Sequence, residues 1–325
     1  MTGVFGRKNP SNIILLLFYG LLLRLFLLNA GHPPIVANSD GPLYRYLLEA
    51  LQPAGRNVPA LYTFLAFILL FSQALSINTI VNRLRLMNRP NFLPAMSYLL
   101  ITAFFSEWNR FSSALIVNTL LLWIWSSLNR LQQGENTRSI LFNAGFALAV
   151  CNFVYSYSFT FSLVVFAALL LYRSVRLNEY LLPLLGYLTP CYFILAWRYW
   201  TDNWHYRDFL LRIHFKMPVL PSAQWTLAGV GIILLLALLG FYFVQQQSSK
   251  MLIQARKSWA LLLIYLLISL FIPFINADFG YWILCLLPLS AFIACAFMYL
   301  RSPLTRNLLH WLAFIFALVA GYFLG

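Results

Sequence analysis

Two acidic residues stand out from the apolar bulk of this chain, Asp40 in NSDGPLYRYLLEAL and Glu107 in FFSEWNR. A carboxylate can take a proton from an attacking hydroxyl, which is general-base chemistry. Asp40 follows a long apolar run and precedes Pro42 and a helical pattern, so a helix N-terminus would favour its charged form there. The same position suits a plain N-cap, because Ser39 or Asp40 can accept from first-turn amides and Pro42 fits the first turn. Glu107 lies between two short apolar runs that draw it toward the membrane, where an ionisable group is costly and marks function. Its neighbours Trp108 and Arg110 leave a second role open, an interfacial ion pair with an aromatic anchor.

A phosphate-bearing substrate needs cations near such carboxylates. Arg45, Arg207, Arg212 and Lys216 are the candidates, and Arg110, Trp108 and His205 complete the expected phosphate- and substrate-binding set. Anionic lipid headgroups would satisfy the same cations. No metal is expected: His32, His205, His214 and His310 lack paired ligand spacing, and Cys151, Cys191, Cys285 and Cys295 sit singly in apolar runs, as buried thiols do. Asp278 in INADFGYW reads as a turn residue. Arg24, inside an apolar run, can snorkel, pair within the bundle or meet a ligand. No P-loop, GxSxG, dinucleotide-binding glycine pattern or EF-hand is present, so no cofactor is expected and nucleotide hydrolysis, serine hydrolase chemistry and dinucleotide redox have no support.

The elements that position these residues are membrane helices. Hydrophobic residues make up 62% of the chain and charged ones 9%, against about 45–50% and about 25% in soluble domains. The fold class is therefore all-α, a single integral membrane domain over residues 1–325 with membrane lipid as its partner. Eleven apolar runs follow one another: Ile13 to Ala30, Val58 to Asn78, Phe92 to Phe105, Phe111 to Leu128, Ile140 to Val154, Phe159 to Tyr172, Leu181 to Trp200, Thr226 to Gln246, Trp259 to Ile275, Gly280 to Leu300 and Leu308 to Leu324. Some are short enough to be re-entrant or paired as hairpins. The first follows Arg7 and Lys8 without a convincing cleavage site and is expected to stay as an anchor.

The net charge of +14 lies in the short gaps between runs, as positive-inside topology requires, and not in a nucleic-acid-binding stripe. With the N-terminus cytoplasmic, the inner segments hold Arg7, Lys8, Arg83, Arg85, Arg89, Arg130, Arg138, Arg173, Arg176, Lys250, Arg256, Lys257, Arg301 and Arg306. Asp40, Glu49, Glu107, Asp202, Asp208 and Asp278 fall outside, the C-terminus is external, and the membrane is expected to be a bacterial inner membrane. Two external loops carry amphipathic helical patterns, one at Leu43, Tyr46, Leu47 and Ala50, the other at Phe209, Leu210, Ile213 and Met217.

This arrangement resembles the type C membrane glycosyltransferases: many helices, a long first external loop bearing Asp40 just past the first helix, interfacial helices, and Glu107 after the third helix. The resemblance implies transfer of a sugar, mannose among the possibilities, from a polyprenyl-phosphate carrier to an external acceptor, with Asp40 as base and Glu107 assisting. The chain has Asp-Gly at the first motif where some members carry paired acids, and the large soluble C-terminal domain of many members is not expected in it. The FGRKNPSN start and Phe-rich composition are also similar to polytopic membrane proteins of Bacteroidota. A transporter or lipid flippase and a non-catalytic scaffold subunit are the other readings the residues allow.

Overall fold

The computed structural model describes residues 2–6, 9–25, 33–58, 60–134, 136–173, 176–200, 218 and 224–324. Among the described residues the chain is all-helical, with no β-strand. The described helices of ten residues or more are α1 Asn12–Leu22, α2 Pro42–Asn57, α3 Ala60–Arg83, α4 Leu93–Thr102, α5 Ser113–Asn129, α6 Thr137–Val154, α7 Ser162–Tyr172, α8 Leu177–Trp200, α9 Gln224–Gln247, α10 Ile253–Ser269, α11 Ile283–Tyr299 and α12 Pro303–Leu324.

Among the described residues, eight helical segments are long and apolar enough to cross a membrane: Ala60–Arg83, Ser113–Gln133, Thr137–Val154, Leu177–Trp197, Gln224–Lys250, Ile253–Ile275, Phe279–Tyr299 and Pro303–Gly321. Three shorter ones, Asn12–Leu22, Leu93–Thr102 and Ser156–Tyr172, overlap the remaining expected runs. The ten residues of α4 rise about 15 Å, half the hydrocarbon thickness of about 30 Å. The apolar side chains that these helices leave uncovered, such as Leu184, Leu188 and Phe193 on α8 and Leu235 and Leu238 on α9, call for lipid as solvent. The chain is an integral membrane protein.

The centre of the bundle is α4 and α11, on which nearly every residue is buried, as a helix apolar all round requires. A buried hydrogen-bond set ties α3, α4 and α5 together. Tyr98 donates to Gln73 Oε1 at 2.5 Å, and Gln73 Nε2 donates to the Leu115 carbonyl at 2.7 Å and Thr119 Oγ1 at 2.8 Å. Such polar links hold helices where lipid supplies no hydrophobic drive between them. The seam of α6 and α8 is backbone on backbone. A Cβ on Gly145 would stand 2.0 Å from the Pro183 carbonyl oxygen, and one on Gly186 would stand 2.1 Å from that of Phe142, so small residues are what lets these helices meet.

In the first loop, α2 forms where the amphipathic pattern places it. Tyr44 and Leu48 turn inward, whereas Leu43, Tyr46 and Leu47 are exposed, the stance of a helix lying along a membrane surface. The second expected loop helix, around Phe209 to Met217, lies outside the described residues, as do His32, His205, Arg207, Arg212, His214 and Lys216.

Candidate functional site

Asp40 is reached by an irregular stretch that locks against the end of α6. Gly41 N–H donates to the Val154 carbonyl at 2.9 Å and Ser156 N–H to the Ser39 carbonyl at 3.0 Å, making a single antiparallel bridge between Asp40 and Tyr155. Only glycine permits this approach, since a Cβ at position 41 would stand 2.1 Å from the Phe153 carbonyl oxygen. That contact also explains why a second acid does not follow Asp40. The N-cap of α2 is Gly41 in an extended conformation, with Pro42 in the first turn and no side-chain cap bond. Capping by Ser39 or Asp40 is therefore corrected: the bridge turns the Asp40 side chain away from α2 and into the bundle.

There it is 4% exposed and well supplied with donors. Oδ1 accepts a short hydrogen bond from the Ser113 hydroxyl at the start of α5 and another from the Tyr281 hydroxyl at 2.6 Å, and Oδ2 accepts from the Ala37 N–H at 2.9 Å. Each carboxylate oxygen has two lone pairs, so Oδ2 retains capacity for one more donor. The Tyr281 ring stacks on Tyr155 with centroids 4.6 Å apart. Asn276 donates to Ser39 Oγ at 3.1 Å and to the Tyr155 hydroxyl at 3.3 Å, fixing the far side of the stack. Tyr44 donates to the Phe111 carbonyl at 3.0 Å; burial, with Asp40 adding to it, pushes its phenol well above the usual range and keeps it a donor.

Glu107 sits on the 3-10 turn Ser106–Asn109, which is pinned from two sides. Asn109 donates to the Thr102 carbonyl at 2.8 Å and the Phe105 carbonyl at 2.9 Å, and its Oδ1 accepts from Arg24 Nε at 2.6 Å. Trp108 is buried, gives its indole N–H to the Phe279 carbonyl at 3.0 Å and stacks on the Phe279 ring at 5.0 Å. The turn Phe279–Trp282 thus touches both candidate motifs, meeting Trp108 through Phe279 and Asp40 through Tyr281. The two carboxylates share no hydrogen bond. Glu107 and Arg110 are each half-buried and form no ion pair, and Arg110 Nε is buried without a partner. Arg45 is exposed on α2.

Ser113, Tyr281 and Arg24 are among the members of this assembly that the sequence did not single out for a role. Arg24 is buried and donates also to Thr102 Oγ1 at 2.7 Å, to the Gly20 carbonyl at 3.3 Å and to the Leu99 carbonyl at 3.4 Å. The available signal for Tyr281 was its place three residues after Asp278 in the same turn, where Asp278 accepts from the Gly280 N–H at 3.0 Å, as a turn residue does. No group of three or more His, Cys, Asp or Glu residues able to hold a metal occurs among the described residues. Two cavities, of about 210 and 270 Å³, lie elsewhere, and neither is lined by Asp40 or Glu107.

No curated protein and no solved structure matches this chain. One family model does, over residues 49–324, a stretch that takes in Glu107, Ser113 and Tyr281 and begins after Asp40. With most of its length matched, the chain belongs to the family of unknown function DUF6427.

Proposed function

We propose that the chain is a membrane glycosyltransferase that moves a sugar, mannose being one possibility, from a polyprenyl-phosphate donor to an acceptor at the external face of a bacterial inner membrane. In this reading the N-terminus is cytoplasmic and the C-terminus external. The observation that carries the reading is the buried Asp40 carboxylate, held by Ser113, Tyr281 and the Ala37 amide with capacity left on Oδ2. An acceptor hydroxyl seated there would give its proton to Oδ2 as its oxygen bonds to the sugar's anomeric carbon. The bond from that carbon to the phosphate oxygen breaks, and polyprenyl phosphate leaves with the bonding pair. Arg110, whose Nε has no partner, is suited to the departing phosphate. His205, Arg207, Arg212 and Lys216 are proposed to share that work, and Glu107 to position the acceptor.

A second reading is favoured by one observation: Asp40 already joins the first loop, α5 and the turn before α11, and neither described cavity reaches it. A carboxylate used only as a tie would belong to a non-catalytic scaffold subunit. The two are separated by reconstituting the full chain in lipid vesicles with radiolabelled polyprenyl-phosphate sugars and membrane acceptors. The enzyme reading expects transfer by the wild type and its loss in Asp40→Asn at matched folded amounts. An inert wild type across donors and acceptors favours the scaffold.

A further inference from the structure

The opposite end of the bundle carries a polar cavity that the proposed chemistry does not use. It lies where α5 ends and α6 begins, beyond the 17 residues that carry α5 away from Ser113, a rise of about 25 Å. Its volume is about 210 Å³, and its polar lining is Ser127, Arg130, Gln133, Asn136, Ser139 and Asn143. These are one guanidinium, three primary amides and two hydroxyls, with no carboxylate among the described lining residues. This is a set of donors suited to an anion with several acceptor oxygens.

Most of these groups are uncommitted. Asn143 donates to Ser139 at 3.3 Å, but Arg130, Gln133 and Asn136 make no side-chain hydrogen bond among the described residues. Ser127, only 3% exposed, brings a hydroxyl to the cavity wall. An anionic oxygen in the cavity can accept from it.

The apolar wall indicates how such an anion arrives. Trp123, 46% exposed and one turn before Ser127 on α5, lines the cavity together with Ile140 of α6. An exposed tryptophan beside an arginine at the end of a membrane helix marks the interface where headgroups sit. Basic pockets between membrane helices at that depth take anionic lipid headgroups.

We propose that this cavity binds the phosphate of an anionic phospholipid headgroup, with Arg130 and Ser127 on the phosphate oxygens and Trp123 and Ile140 along the start of the acyl chains. The site is independent of Asp40 and stands whether or not the chain transfers sugar.

The test uses the full chain in neutral detergent, with lipid retention read by native mass spectrometry. Dioctanoyl phosphatidylglycerol is compared with zwitterionic dioctanoyl phosphatidylcholine, and inorganic phosphate is added as competitor. The expected result is preferential retention of phosphatidylglycerol that falls about fivefold or more in Arg130→Gln. Arg138→Gln, a basic position nearby that does not line the cavity, should retain it as the wild type does, and equal melting temperatures show that both variants fold. Loss of the lipid at millimolar phosphate assigns recognition to the phosphate itself, and its persistence assigns it to phosphate and chains together. Phosphate binding that depends on Arg130 without lipid retention keeps the site and makes its ligand a soluble phosphate. Equal retention of both lipids, or retention unchanged in Arg130→Gln, overturns the proposal.

Discussion

Asp40 and Gly41 do opposite work at one point in the chain. Gly41 lets the backbone close on the Phe153 carbonyl, and that closure sends the Asp40 side chain toward Ser113 and Tyr281. Gly41→Ala should therefore lower stability by about 2 kcal/mol, the cost of forcing a methyl into a filled space, read as a drop in melting temperature in detergent. An unchanged melting temperature would mean that the close approach is absent. In Asp40→Asn, the amide oxygen can still accept from both hydroxyls, but its nitrogen cannot accept from Ala37, a loss of about 1 kcal/mol. The type and position of Asp40 were legible in the sequence, whereas its direction was not. Local capping preferences could not include Tyr281, which is 241 residues away.

At the scale of elements, Arg24 is the organiser of the Glu107 turn. Its guanidinium spans Asn109, Thr102 and the carbonyls of Gly20 and Leu99, joining the end of α1 to α4 and to the turn that follows. Arg24→Met should cost about 2–3 kcal/mol, because hydrogen bonds from a charged donor are lost and Asn109 Oδ1 loses its donor. Arg24→Lys should rescue little, since an ammonium cannot reproduce the planar fork. Thermal unfolding checks both, and a lysine variant as stable as the wild type would contradict the bridging role. The sequence placed a helix in every apolar run, and α2 with Pro42 in its first turn. It could not decide which helices reach across a bilayer, because hydropathy reads a ten-residue helix buried inside the bundle, such as α4, much as it reads a spanning one. The meeting of Trp108 with Phe279 was equally hidden, being a contact between distant turns.

For the whole molecule, the charge distribution implies a sidedness that can be measured. Eleven crossings with a cytoplasmic N-terminus put the C-terminus outside, whereas the eight long helices alone would return it to the starting side. Alkaline phosphatase fused after Gly325 should be active, and an inactive fusion beside a cytoplasmic N-terminus would require an even number of crossings. In the proposed reading, Asp40 lies at one end of the bundle and the Arg130 cavity at the other. That division rests on α5, which carries Ser113 at its start and is followed directly by Arg130. The central claim is that Asp40 does chemistry in addition to tying the first loop to the bundle. It is tested most directly by measuring sugar transfer and melting temperature together in the wild type, Asp40→Asn and Tyr281→Phe. The account predicts that Asp40→Asn loses transfer by at least about a hundredfold while its melting temperature falls no further than that of Tyr281→Phe, which keeps the base and retains measurable transfer. Transfer lost in both variants only in proportion to their lost stability, or undiminished in Asp40→Asn, would contradict it.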